Sequence, residues 1–344
     1  MIRLSLLQFR VQAITAAAAL AAFAILLAAT GPRLAARYAA SGVGSCHGGG
    51  CGQLASTFLG QLQAPYPLLY LLGVAVILLV PAIIGIFWGA PLVASEFEAG
   101  THHLAWNQSV TRTRWLAVKL TVCGLAALAV TEGLSLMQAW WAAPIGRAVG
   151  RGGTATGIAK DRWDPLVFAT HGITPLGYAA FAFALGVTAG VLIRRTVPAM
   201  AVALAIFAAV QIAMPLWIRP HLFPPHHTTT TIGRDITFRN EPRGNFILTT
   251  GSLPGQPGAW LLSSGAVNAA GNPAGTAPAA CQQAVQSSGS SGLDCMASHG
   301  IRIAATYQPA GRYWTFQWTE TAIYLALALA LAGYCFRRLN RSLS

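Results

Sequence analysis

Residues 68–91 read LLYLLGVAVILLVPAIIGIFWGAP and contain no Asp, Glu, Lys or Arg. The uncharged stretch around them extends from Tyr38 to Ser95. A helix needs about 20 predominantly apolar residues to cross the hydrocarbon core of a membrane, which is about 30 Å thick. This part of the sequence therefore predicts a transmembrane helix.

Five other stretches of low charge predict five more crossings. Of the 344 residues, 54% are hydrophobic and only 9% are charged, whereas about 25% of an ordinary soluble domain is charged. A basic start and an apolar core also mark secretory signal peptides, but residues 11–30 have full spanning length, so we expect them to remain as a helix. The sequence predicts an all-α membrane protein with six transmembrane helices, near residues 11–30, 68–91, 115–141, 174–193, 197–217 and 319–336.

The placement of basic and aromatic residues predicts the orientation. Cytoplasmic loops hold the excess of Lys and Arg, and these residues are densest where both termini lie inside the cell. Trp and Tyr near residues 140–141, 217 and 313–318 indicate the outer membrane boundary. The net charge of +13 does not indicate nucleic acid as a partner, because the basic residues flank the apolar runs instead of forming one patch.

The long connection between the fifth and sixth crossings differs from the rest of the chain. Residues 218–318 are rich in Gly, Pro, Ser and Thr, and their apolar runs have strand length. We therefore expect a small, loop-rich, β-containing extracellular domain there. Residues 1–217 would hold the first five crossings, and residues 319–344 the sixth crossing and a cytoplasmic tail.

Four of the six cysteines fall in predicted outer segments, where an oxidising compartment favours disulfides. We expect Cys46 to pair with Cys51 and Cys281 to pair with Cys295. The sequence around Cys46 and His47 also suggests a metal site. However, two thiols and one imidazole fall short of the four ligands of a structural zinc ion, so we predict no metal.

The longest predicted inner loop, residues 95–114, has an ordered pattern. An acidic pair precedes Gly-Thr, an apolar patch follows, and a Thr-Arg pair leads to Lys119. This pattern resembles that of ABC-2 type permeases, the transmembrane subunits of ATP-binding-cassette exporters, and looks most like the actinobacterial ones. The resemblance implies a coupling helix that docks in a groove of a separate ATPase subunit through Glu96, Glu98, Gly100, Thr101, Trp106 and Arg112.

The resemblance also implies a function. The chain would form the translocation path for an amphipathic drug, antibiotic, lipid or peptide that leaves a bacterial cell through the cell membrane. Two copies of an ATPase subunit, which bind ATP and Mg, would drive it. A second permease chain would complete the path, as a copy of this chain in a homodimer or, alternatively, as a paralogue. No cofactor is expected on this chain itself. Family members often have a short connection between the last two crossings, and the domain found here departs from that.

The chain is not expected to be an enzyme, since neither Lys119 nor Lys160 lies in a phosphate-binding loop pattern. Glu132 is the one acid that the sequence places well inside a crossing, and such carboxylates usually face a cavity or a partner. With Gln138 and Gln211, it is a candidate for lining the translocation path. The alternative for Glu132 is a structural, hydrogen-bonded role.

Two other classes of function stay open. A membrane receptor or sensor would bind a ligand with the external domain, but the pattern in residues 95–114 opposes this. An intramembrane enzyme would combine Glu132 with a histidine such as His171, but the sequence has no paired catalytic signature.

Overall fold

The computed structural model describes most of the chain in two compact units. Unit 1 comprises Met1–Arg219 and Thr315–Ser344, and unit 2 comprises Pro220–Trp314. The described residues are 10–48, 50–99, 111–153, 161–232, 236–240, 246–250, 253, 256, 258–275, 278–286 and 290–341.

Unit 1 is a bundle of α-helices. The long helices are α1 (Arg10–Ala40), α3 (Tyr66–Ile83), α5 (Arg112–Gly150), α7 (Thr174–Ile193), α8 (Thr196–Ala213) and α11 (Tyr313–Arg341). Shorter helices are α2 (Cys51–Gly60), α4 (Pro91–Glu98) and α6 (Pro165–Thr170).

In the part of the chain that the structure describes, six helical segments are long and apolar enough to cross a membrane, and we number them spans 1 to 6. The prediction of an all-α membrane protein with six transmembrane helices is therefore confirmed. The spans are Ile14–Ala40, Tyr66–Glu98, Thr113–Gly150, Thr174–Ile193, Thr196–His221 and Ala310–Asn340.

The helix of span 1 extends beyond the predicted residues 11–30 and continues through Gly31 and Pro32 to Ala40. Gly31 does not end the helix but lets span 3 approach closely. A Cβ atom at Gly31 would lie 2.8 Å from the Trp140 ring. The neighbouring Trp141, which is only 1% exposed, donates its indole N–H to Thr30 Oγ1 at 2.9 Å.

Two prolines coincide with π-helical turns inside spans. In span 2, residues Ile84–Gly89 form a π-helical stretch immediately before α4, which begins at Pro91. In span 5, the π-helical stretch Met214–Ile218 contains Pro215. Proline has no N–H to donate to the carbonyl four residues earlier, so the regular helical ladder is interrupted at such positions.

Span 4 packs at the centre of unit 1 through small residues. A Cβ atom at Gly186 would collide with the Gly85 carbonyl oxygen of span 2, and a Cβ atom at Gly190 would lie 2.6 Å from the Ala90 carbonyl oxygen. Helices in membranes associate through such close backbone contacts, since lipid gives no hydrophobic drive for apolar side chains to meet. The two Gly-x-x-x-Gly segments, 85–89 and 186–190, thus bring spans 2 and 4 together.

Unit 2 contains two small antiparallel sheets. The three-stranded sheet has the order β1-β5-β4, with His226 opposite Tyr307 and Trp260 opposite Gln308, and a β2-β3 hairpin forms the second sheet. The predicted strand-length runs correspond to β3, β4 and β5, whereas the sequence did not specify β1 and β2. The strands are β1 (His226–Thr231), β2 (Ile236–Asn240), β3 (Phe246–Thr250), β4 (Trp260–Val267) and β5 (Arg302–Gln308), and the unit also holds helices α9 (Gln282–Gln286) and α10 (Ser290–Ser298).

Both expected cysteine pairings are present. One disulfide joins Cys46 to Cys51 in the connection between spans 1 and 2, and the other joins Cys281 to Cys295 in unit 2. His299 lies close to the second disulfide, so three ligand atoms fall within 4.8 Å of one another. Because both sulfur atoms are bonded to each other, they are not available there as thiolate ligands for a metal.

Candidate functional site

The end of span 2 is bonded to the start of span 5. Glu98 is the last residue of α4, and Thr196 is the first residue of α8. The Glu98 carboxylate accepts hydrogen bonds from the Thr196 backbone N–H at 3.2 Å and from the Thr196 hydroxyl. The first N–H groups of a helix lack partners within the helix and carry partial positive charge, so a carboxylate at this position stabilises the start of span 5.

The same end of span 2 is also bonded to span 3. Lys119 is only 5% exposed and forms an ion pair with Glu96. Its ammonium group also donates to the Leu92 carbonyl oxygen at 3.3 Å and lies 4.6 Å from the centre of the Trp115 ring. A lysine buried this deeply needs such partners, because an unpaired charge in a low-dielectric interior is costly.

The connection between spans 4 and 5 contacts this region as well. Arg194 adopts a left-handed backbone conformation, with φ of 57°, at the end of α7. Its guanidinium carbon lies 5.6 Å from the centre of the Phe97 ring. We call this group of contacts at Glu96, Phe97 and Glu98 the loop-end junction. It links the end of span 2 to spans 3, 4 and 5.

Only part of the predicted coupling segment belongs to the described residues. Glu96 and Glu98 are described, and both bond to other parts of this chain. Thr111 caps the next helix, with its side chain accepting the Arg114 N–H at 3.4 Å. Gly100, Thr101 and Trp106 lie outside the described residues, as does the side chain of Arg112.

A second polar group lies at the opposite end of the bundle. Arg219, at the end of span 5, binds the Glu320 carboxylate of span 6 through two hydrogen bonds, of 2.8 and 3.0 Å. The Tyr178 hydroxyl of span 4 donates to the same carboxylate at 2.5 Å. Arg219 is 1% exposed and Glu320 is 0% exposed, so the pair lies away from solvent and joins three spans.

Aromatic residues lie next to this ion pair. The guanidinium carbon of Arg219 lies 3.9 Å from the centre of the Phe168 ring in α6, close enough for a cation–π interaction. The ring of Tyr178, whose hydroxyl binds Glu320, meets the ring of Tyr324 edge to face, with centres 4.7 Å apart. Tyr324 also donates its hydroxyl to Gln211 Oε1 at 2.7 Å.

Arg219 and Glu320 are not predicted as a pair from the sequence. Each lies next to a predicted end of a crossing, where charged residues are ordinary. A signal was nevertheless present, since an Arg and a Glu stand at facing ends of two consecutive crossings. Only the tertiary structure shows that their side chains meet.

The three residues predicted for the translocation path contact different spans. Glu132 is half-buried, and its Oε2 has no hydrogen-bond partner among the described residues. Gln138 is 0% exposed, and neither polar atom of its amide has a partner in that part of the chain. The Gln138 amide lies directly against Gly73 of span 2, whereas Gln211 bonds to span 6. The structure therefore does not bring the three into one cluster.

His171 does not form a pair with Glu132. Its Nδ1 lies 2.9 Å from the Val167 carbonyl oxygen and 3.1 Å from the Thr170 hydroxyl. Burial lowers the pKa of His171, although the Val167 hydrogen bond opposes the shift, and the neutral imidazole is favoured. This arrangement gives no support to the intramembrane-enzyme alternative.

Comparison with known families provides a match over the first five spans. A family model described as "ABC-2 membrane transporter related" matches residues 17–219, which are more than half of the 344 residues. No curated protein and no solved structure matches the chain. The matched residues include the whole segment 95–114. Together with the six apolar helices, it shows that this transporter permease belongs to the ABC-2 membrane transporter related family.

Proposed function

We propose that the chain is the transmembrane subunit of an ABC exporter, and that a separate ATPase subunit docks on its segment 95–114. The loop-end junction carries this proposal. Glu96, Phe97 and Glu98 immediately precede the segment and are bonded to spans 3, 4 and 5. A force applied to the segment would therefore reach four spans through short, mostly charged contacts.

This arrangement suits a transporter that works through two states. ATP binding shifts the permease between states only if the ATPase contacts it differently in each. Such contacts need a stiff connection, because a loose loop would absorb the movement. The largely buried Lys119–Glu96 ion pair contributes such a connection to span 3, and the exposed Glu98–Thr196 hydrogen bonds join the end of span 2 to the first turn of span 5.

The ATP and Mg would be bound by the partner subunits. Family membership supports this division, since ABC-2 membrane subunits generally pair with ATPase subunits. We infer two ATPase copies and a second copy of this chain, with the permease pair enclosing the path. The two termini and the loop-end junction would face the cytoplasm, and unit 2 would lie outside the cell.

Glu132, Gln138 and Gln211 are candidates for lining the path of an amphipathic substrate. The unpaired amide of Gln138 supports a place on this path. A buried polar group without a hydrogen bond costs about 1–3 kcal/mol. When spans 2 and 3 move apart, water or a polar substrate group can provide the missing partners.

Co-purification followed by hydrolysis assays tests the proposal. The full chain is co-expressed in a bacterial host with a candidate ATPase subunit from the same organism, and the complex is placed in lipid nanodiscs. We expect a stable complex whose hydrolysis rate rises with an amphipathic substrate. A chain that inserts six spans but binds no ATPase subunit would overturn the proposal.

A further inference from the structure

The carboxylate of Glu320 lies close to the expected membrane interface. Two residues before it in α11, Trp318 is 64% exposed, and Trp314 one turn earlier is 55% exposed. Exposed Trp side chains on a span prefer the headgroup level of a membrane. Glu320 itself is fully buried, so it lies at that level but inside the protein.

The surroundings of Glu320 have the chemistry of a cation site. The carboxylate supplies the negative charge, the Phe168 ring lies against the Arg219 guanidinium, and the Tyr178 hydroxyl donates to the carboxylate. Carboxylates combined with aromatic faces recognise organic cations, because the ring faces carry negative potential. In this structure the cation that occupies the site is the guanidinium of Arg219.

The two members of the pair differ in how firmly they are held. Glu320 lies inside the continuous helix Tyr313–Arg341, and both of its carboxylate oxygens accept hydrogen bonds. Arg219 begins the short 3₁₀ turn Arg219–His221, directly after the π-helical stretch Met214–Ile218. Its Nη1 has no hydrogen-bond partner among the described residues, although the side chain is buried. Arg219 is therefore the member of the pair that can move away from the Glu320 carboxylate.

Energetics also favour a role beyond stability. A buried ion pair is often no more stabilising than apolar residues of the same size, because both charges lose their hydration. Removing one partner is costly, however, since the other charge is left alone. A ligand that brings its own positive charge avoids that cost when Arg219 leaves.

We propose that Glu320 is the binding site for the cationic group of an amphipathic substrate, which takes the place of the Arg219 guanidinium. This inference rests on the proposed exporter function and specifies its substrate class. One cation replaces another, so the carboxylate stays neutralised throughout the exchange. Anionic amphiphiles of the same shape should be rejected.

Equilibrium binding of tetraphenylphosphonium tests the exchange. The purified full-length chain in zwitterionic lipid nanodiscs is titrated with this cation and with tetraphenylborate, an anion of nearly the same shape. Signals from empty nanodiscs are subtracted, because both ions partition into lipid. We expect saturable binding of the cation and none of the anion. Saturable binding of both ions with equal affinity would contradict the proposal.

Variants of the pair separate exchange from a structural role. Glu320→Gln should weaken phosphonium binding at least about tenfold, whereas Arg219→Gln should keep it or tighten it. The double variant removes both charges, should fold without an unpaired charge, and should lose binding as Glu320→Gln does. Asp294→Asn, an exposed acid in unit 2, should bind like the unaltered chain.

A purely structural pair would give a different pattern. Arg219→Gln and Glu320→Gln would then lower binding and thermal stability equally, and that outcome would overturn the inference. The binding assay needs no ATPase subunit. If cation binding fails while substrate-stimulated hydrolysis holds, the exporter function stands and only the cation site is wrong.

Discussion

Glu98 at the end of span 2 accepts two hydrogen bonds from Thr196 at the start of span 5. The two residues are 98 positions apart in the sequence, so the bond joins two separate crossings. It sits at the edge of the segment that we propose as the ATPase contact. The proposed coupling between the ATPase and the spans depends on these hydrogen bonds.

We expect Glu98→Ala to uncouple ATP hydrolysis from substrate while six spans stay inserted. The reason is that the first turn of span 5 would no longer be fixed to span 2. Thr196→Val should give a smaller defect of the same kind, because its backbone N–H can still donate to Glu98. The measurement is hydrolysis with and without substrate in nanodiscs.

A double-mutant cycle provides the control for this prediction. Since the two residues share one interaction, the double variant should be no worse than Glu98→Ala alone. Fully additive defects would show that Glu98 and Thr196 act separately.

Lys119→Met should destabilise the chain, because it leaves the largely buried Glu96 carboxylate without its cation. Removing one member of a buried pair costs about 3 kcal/mol. The double variant with Glu96→Gln should recover part of that loss. Thermal unfolding in lipid measures both, and a Lys119→Met chain as stable as the original would contradict the buried pair.

Gly186→Ala should prevent stable packing of spans 2 and 4, since the new methyl group would collide with the Gly85 carbonyl oxygen. We expect a loss of more than about 2 kcal/mol, as for other overpacked interiors. Gly133→Ala is the matched control. A Cβ atom there meets no described atom within 4 Å, so this variant should be neutral or slightly stabilising. Equal stability of the two variants would contradict the close approach of spans 2 and 4 at Gly186.

Alkylation and mass mapping should find two disulfides and two free thiols. Cys123 and Cys335 are buried in spans and should react only after unfolding. Replacing Cys281 and Cys295 by serine should destabilise unit 2 by about 3 kcal/mol, as expected for a loop of this length. Six reactive thiols in the unreduced, unfolded chain would show that neither disulfide is present.

The sequence predicted the six crossings because a membrane-spanning helix needs an uncharged, apolar run of about 20 residues, and such runs are visible in the sequence. It placed span 1 near residues 11–30, whereas the helix continues through Gly31 to Ala40. Because Gly31 has no side chain, the Trp140 ring can approach its backbone closely, and only the packed helices show this contact. The sequence did not specify strand β1 either, because its Thr-rich run has no apolar pattern. The run forms a strand because it pairs with β5.

The candidate sites were less predictable from the sequence than the fold. The motif around Glu96 and Glu98 pointed to the loop end, but not to the bonds that these acids make with Lys119 and Thr196. The sequence did not predict the Arg219–Glu320 pair. Each of these contacts joins residues far apart in the sequence, and no local pattern encodes which partner a charged side chain meets.

Site-specific photo-crosslinking is the most direct test of the proposed ATPase contact. A photoreactive amino acid is placed at Ala99, an exposed residue directly after Glu98, or at Gln63, an exposed residue at the opposite end of span 2. Cells that co-express the ATPase subunit are then irradiated. We expect a covalent adduct with the ATPase from position 99 and none from position 63. An adduct from position 63 alone, or none from position 99, would contradict the proposed contact.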